Sequence, residues 1–303
     1  MRRRPTIALA LVGVLLAGCQ HRSAPVAIVT LSLPGRPSAV AVATGLVWVA
    51  DDGRGVVVTV DATRVKVVGA PIRVGSAPIA LAAGPGSIWV ADAMGTVSAI
   101  DVRSRRVVGA PVRLGGALSD VATGAGAVWA TDVQNGILWR IDPADRTTLP
   151  VKIPNGAVRA AVDGGTVWVT NLDNTVTPVD ATALTAGLPV PVGNGPIGVA
   201  ATQGKVWVAN SDDATVSRVV GGNPSPPPSF TPVGKGPLEV AATAAGVWVV
   251  SQDARVLTRL DPSSGRRVGP PVAVSTGPRG VAVGGGRVWV VGVDPDVVIG
   301  VLL

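Results

Sequence analysis

The stretch Pro78-Ile-Ala-Leu-Ala82-Ala-Gly-Pro-Gly-Ser-Ile-Trp89-Val-Ala-Asp92 decides the fold, because its pattern returns along the whole chain. A tryptophan preceded by Val or Ile stands at Trp48, Trp89, Trp129, Trp168, Trp207, Trp248 and Trp289, at intervals of 39 to 41 residues. Seven residues before each lies an alanine: Ala41, Ala82, Ala122, Ala161, Ala200, Ala241 and Ala282. Eleven residues before it, five of the seven units carry Pro37, Pro78, Pro196, Pro237 or Pro278. A fixed period of this length is the mark of a repeat architecture.

Around the quoted stretch the second unit divides into four apolar runs, Ile79–Ala83, Ser87–Ala91, Thr96–Ile100 and Val107–Leu114, separated by turn residues. They are strand-length and rich in Val and Ile, with no helical period. Four strands in about 40 residues is the signature of a propeller blade. The expectation is an all-β, seven-bladed β-propeller of four-stranded blades. The Ala is expected where blades crowd near the axis, and the Trp in the wedge between neighbouring blades.

The chain ends bear on closure. The seventh unit stops after its third strand, Val297–Leu302, while Val26–Leu33 precedes the first unit as a spare strand. That N-terminal strand is expected to close the last blade, removing the open edges that a ring with free ends would leave.

Before the repeats, Met1-Arg-Arg-Arg4 and the 11-residue apolar run Ile7–Ala17 lead to Leu16-Ala17-Gly18-Cys19. The run is too short to span a bilayer, which takes about 20 residues. It has the layout of an export leader. The last four residues resemble a bacterial lipobox, which implies cleavage before Cys19 and lipidation of its thiol. This also accounts for the single cysteine of the chain. The expected organisation is a lipoprotein signal peptide over 1–18, a tether over 19–25 and the propeller over 26–303. The expected localisation is extracytoplasmic, with the membrane as partner through Cys19 and the propeller itself monomeric.

Units of the form Gly-Pro-x-x-Val-Ala…Val-Trp-Val-Ala…Thr-Val-x-Arg-Val-Asp resemble the YVTN-type propeller superfamily. It includes relatives of virginiamycin B lyase and periplasmic propellers of the YncE kind. The likeness spans residues 26–303 and speaks to fold far more than to activity. Lyase-like members rely on histidine and glutamate with a metal. The one histidine here is His21, outside the repeats. Neither a His-rich zinc site nor a Ser-His or Cys-His nucleophile pair can be built within the repeats.

Function is then sought where units break the repeat. Nine residues before each Trp stand Ala39, Ala80, Asp120, Arg159, Gly198, Glu239 and Gly280. Four are small and three are charged, Glu239 being the sole glutamate. Arg279 sits one residue earlier in the seventh unit. A charge at a narrow tunnel mouth costs desolvation unless it is paired or useful. Asp120, Arg159, Glu239 and Arg279 are therefore the candidate ligand-binding residues, the plain alternative being a structural ion-pair set.

The Asx-rich links at Asp51-Asp52-Gly53, Asp92, Asp132, Asn171, Asn210, Asp212-Asp213 and Asp294-Pro-Asp296 lack a spaced calcium-loop pattern and are read as turn formers. The same reading covers Asp61, Asp101, Asp142, Asp180 and Asp261. Trp139, the one off-register Trp, is assigned to packing rather than stacking on a ligand. Pro224-Ser-Pro-Pro-Pro-Ser229 reads as a stiff insertion in the fifth unit.

No cofactor, metal or catalytic residue is assigned. The leading reading is a non-catalytic binding or interaction scaffold for a protein or small-molecule ligand. The alternatives are a lyase or hydrolase using mouth carboxylates, and a nucleic-acid-binding propeller. The last is disfavoured by a formal charge of only +7, part of it in the leader, and by 3% aromatic content.

Overall fold

The computed structural model describes residues 27–220 and 227–303. The leader, Cys19, His21, the tether and Pro224–Pro226 of the proline-rich insertion lie outside the described residues. Within them the chain is all-β, in seven antiparallel sheets.

Blade two shows the plan. Pro78–Gly84, Ser87–Asp92, Thr96–Asp101 and Arg106–Arg113 follow one another as neighbours in a single sheet. The first strands of the other blades are Pro37–Ala43, Leu118–Gly124, Ala160–Asp163, Pro196–Thr202, Pro237–Thr243 and Gly277–Gly284. Each packs on the first strand of the next blade, and the seventh packs on the first, so the ring closes. Proline opens the first strand in four blades and stands second in the seventh. An end position tolerates its missing N–H. Fourth strands are the least regular. In blade one the fourth strand is split into Lys66–Val67 and Ile72–Arg73, and in blade six only Val272–Ala273 forms.

Closure uses the chain start. Ile28–Ser32 pairs antiparallel with Val297–Leu302, Ile28 opposite Val301 and Ser32 opposite Val297, and becomes the outer strand of blade seven. The Leu33 N–H continues the pairing to the Asp296 carbonyl at 3.0 Å. The spare strand of the sequence is this clasp.

The apolar interior is seven separate seams, one between each pair of blades, rather than a single central core. Each repeat Trp lies in the seam to the next blade: Trp48 meets Val90 and Ile100, and Trp289 closes the ring against Val40 and Val58. Trp48, Trp129, Trp207 and Trp289 are completely buried. The register adds to the expected role of the alanine. Ala41 lies directly opposite Trp48, and the same pairing holds for Ala82–Trp89, Ala122–Trp129, Ala161–Trp168, Ala200–Trp207, Ala241–Trp248 and Ala282–Trp289. Cross-strand partners share a sheet face a few ångströms apart. The alanine is thus small both because an indole occupies the same face and because the first strands of adjacent blades pack together there. Trp139 joins the seam between blades two and three, as packing requires.

The Asx residues do turn and linking work. Asp61 accepts from the Thr63 and Arg64 N–H groups, and Asp101 and Asp261 repeat this at their own third-strand ends. These backbone bonds hold the three carboxyls below the usual carboxylate range. Asp51 and Asp92, at second-strand ends, accept from Arg36, Ser76 and Ala77 in the link that enters the blade. Gly35 lies so close that a Cβ there would fall 1.8 Å from the Asp51 carboxylate, and its φ of +135° is open to glycine.

Candidate functional site at the tunnel mouth

The candidate site is built by a recurring irregularity. In six blades the pairing of first and second strands slips just after the strand begins: between Pro37 and Ala39, Pro78 and Ala80, Leu118 and Asp120, Pro196 and Val199, Pro237 and Glu239, and Pro278 and Gly280. Such bulges re-aim a side chain. In those six blades they fall at the position nine residues before the Trp, whereas in blade four Arg159 stands just before a first strand, Ala160–Asp163, that pairs without a slip. Ala39, Ala80, Asp120, Arg159, Glu239 and Gly280 line one narrow cavity of about 150 Å³, together with Arg279.

All four candidates line this cavity, and three of them form one ion-pair cluster. Arg159 Nη1 lies 3.0 Å from Glu239 Oε2 and 3.6 Å from Asp120 Oδ1, so one guanidinium bridges carboxylates from the third and sixth blades. The backbone secures the acids: the Ala160 N–H donates to Asp120 Oδ2 at 3.0 Å, and the Val240 N–H to Glu239 Oε1 at 3.2 Å. Room for Glu239 comes from Gly198. A Cβ there would lie 2.6 Å from the Leu238 carbonyl oxygen and 3.0 Å from Glu239 Oε1.

Arg279 is at the same mouth but in a different pair. Its Nη1 lies 3.5 Å from Asp52 Oδ2, while Arg36 Nε approaches Asp52 Oδ1 at 3.4 Å. Arg159 and Arg279 both reach into a wider outer bowl of about 340 Å³, with Asp52, Ser119 and Gln252 on its wall. The two guanidiniums therefore line both spaces, the narrow chamber with Asp120 and Glu239 and the wider bowl with Asp52.

Burial governs the electrostatics. The Glu239 side chain is 16% exposed and that of Asp120 13%. Loss of water pushes Glu239 up to about 7; the pull of Arg159 opposes this and the charge of Asp120 adds to it. Asp120 is likewise raised by burial, against the pull of Arg159. Arg159 loses hydration too, but Glu239 and Asp120 more than offset this and hold its pKa above the ordinary value.

The rim is stitched from blade to blade by hydroxyls. Ser38 Oγ donates to the Pro78 carbonyl at 2.7 Å, Ser119 Oγ to Val158 at 2.7 Å, and Thr170 Oγ1 to Ile197 at 3.0 Å. Asp52, which the sequence reading makes a turn former, pairs here with Arg36 and Arg279. A signal for Asp52 exists: four residues after each Trp the units read Asp52, Ala93, Val133, Leu172, Ser211, Gln252 and Val293, with a charge only in the first. The rule that picked out Asp120 would have found it. Among the described residues no group of three or more His, Cys, Asp or Glu could hold a metal ion.

No family model and no curated protein sequence matches the chain. Solved structures do. A catalytically inactive variant of virginiamycin B lyase from Staphylococcus aureus, crystallised with quinupristin, superposes with a TM-score of 0.80 at 15% identity, over 92% of this chain and 100% of that one. A streptogramin B lyase gives 0.76 at 14% identity, over 91% and 98%. U3-55K gives 0.79 at 10% identity, again over 91% and 98%. At such identities the likeness carries the architecture alone, and the chain is a seven-bladed β-propeller.

Proposed function

We propose that this protein is an exported, lipid-anchored β-propeller that binds a ligand or partner at its tunnel mouth without transforming it. The observation that carries the reading is the Arg159 bridge. Both chamber carboxylates share one guanidinium, an arrangement that presets a polar floor rather than freeing an acid and a base for separate tasks. The outer bowl, with Arg159 and Arg279 on its wall, is of a size for the polar end of a small ligand or an inserted side chain. Export and anchoring rest on the leader and the Leu16-Ala17-Gly18-Cys19 motif. Kinship with YVTN-type and YncE-like propellers is part of the same proposal and rests on the repeat motif.

One observation favours a second reading, a lyase or hydrolase using mouth carboxylates. Glu239, raised to about 7, has the affinity for a proton that a general acid or base needs at neutral pH. The test is a photo-crosslinking residue in place of Gln252, on the bowl wall, in intact cells, followed by identification of what is captured, in wild type and in Glu239→Gln. Capture of the same defined species by both supports the binding reading. Accumulation of a captured species only in the variant, with turnover of it by the wild type, overturns it in favour of the enzyme. Capture of nothing at the mouth overturns both.

A further inference from the structure

Both described chain ends lie on the face opposite the mouth. Ile28 begins the outer strand of blade seven there, and the Leu303 N–H bonds to the Gly286 carbonyl in a first-to-second-strand link on that face. Beside them is an apolar groove of about 490 Å³ between blades six and seven. It exists because the fourth strand of blade six is only Val272–Ala273, so the segment before it leaves the seam partly uncovered. Ile28, Val268, Pro270, Pro271, Leu302 and Leu303 line it. Leu302 and Leu303 are each 52% exposed.

The charge that lines the groove is positive. Arg259 lines it, and Arg266 and Arg267 are exposed on the approach. Acids on this face, such as Asp61, Asp101 and Asp261, are tied to backbone N–H groups in their turns. The mouth face instead carries most of the chain's acids, including Asp51, Asp52, Asp212, Asp213 and Asp253. The propeller is therefore polarised along its axis.

We infer that this groove and its arginines dock on an anionic phospholipid surface, so that the mouth points away from the bilayer. The inference rests on the lipid-anchored reading above, and the tether supplies the occupant. Only seven residues separate Cys19 from Ala27, a reach of roughly 30 Å at full extension. The anchor would thus hold the groove, not the mouth, against the headgroups. Arginines near an anionic leaflet and apolar side chains sunk into its boundary each add to the attachment.

The test uses the mature protein, with intact mass reporting whether Cys19 carries acyl chains, reconstituted on phosphatidylcholine vesicles with or without phosphatidylglycerol. Backbone hydrogen exchange is followed over residues 266–273 and 299–303. The expected result is slowed exchange there only with phosphatidylglycerol, with Arg266→Glu/Arg267→Glu weakening the protection at least about tenfold. Lys235→Glu/Arg255→Glu, on the mouth face, should leave it intact. An unacylated Cys19 overturns the anchoring reading and the docking with it. Acylated protein whose groove exchanges equally on both vesicles overturns the docking alone. So does protection over the mouth loops, or groove protection that grows with protein concentration without vesicles, which would mark a second copy as the occupant.

Discussion

The seams between blades and the mouth above them are built from the same strands under opposite demands. In the seams every blade repeats one solution, an indole with a methyl opposite, and departures are small. At the mouth, seven equivalent positions carry four small residues and three charged ones, and those three meet in one cluster. Repetition therefore marks what packing requires, and its breaks mark where a blade does something its neighbours do not. The contrast has an energetic side: seams draw on apolar burial, whereas the mouth spends stability on desolvated charge.

The largest test of that contrast is of the seam that closes the ring. Deleting residues 27–34 should lower Tm by at least about 10 °C, read by calorimetry, because Val298 and Val301 lose the strand that covers them. An unchanged Tm would mean that closure does not depend on the clasp. Trp129→Ala, at a fully buried seam position, should cost about 3–5 kcal/mol in urea unfolding.

At the mouth, Arg159→Met should cost about 3 kcal/mol at pH 8, where two part-buried carboxylates lose their shared cation. The cost should shrink at pH 5, where Glu239 is protonated. A cost independent of pH would break the bridge interpretation. Gly198→Ala should cost roughly 1–2 kcal/mol, since the backbone of blade six blocks the added methyl.

The subtlest test is a slope. Glu239 is raised in the folded protein to about 7, from an ordinary value of 4.5. The folded state thus holds a proton that the unfolded chain releases, and the associated stability is full below about 4.5 and lost as pH rises through about 7. Glu239→Gln should flatten this decline, so that its Tm gains on wild type between pH 5 and pH 8. A parallel pair of curves would place the Glu239 titration elsewhere.

Much of this was legible in advance. The blade count, the clasp and the wedge role of the tryptophans follow from period and run length, because a short Val-rich run has few ways to bury both faces. The mouth was legible as a set of positions: Asp120, Arg159 and Glu239 were found as breaks in one column of the repeat. That Arg279 would line the same cavity yet pair with Asp52 was not legible, because the two residues belong to opposite ends of the chain and become neighbours only when blade seven meets blade one. The alanine column is legible as small, but the indole opposite it is not, since the partner across the strand pair depends on register.

By itself, then, the order of residues determined a ring of seven β-sheets and the positions within each that face its axis, since periodicity and burial are local properties of the chain. Only the tertiary structure decided which charges share a partner, how deeply Glu239 is desolvated and where the apolar groove opens. Those depend on distances between blades up to the whole chain apart, and on bulges whose effect on side-chain direction has no separate mark in composition.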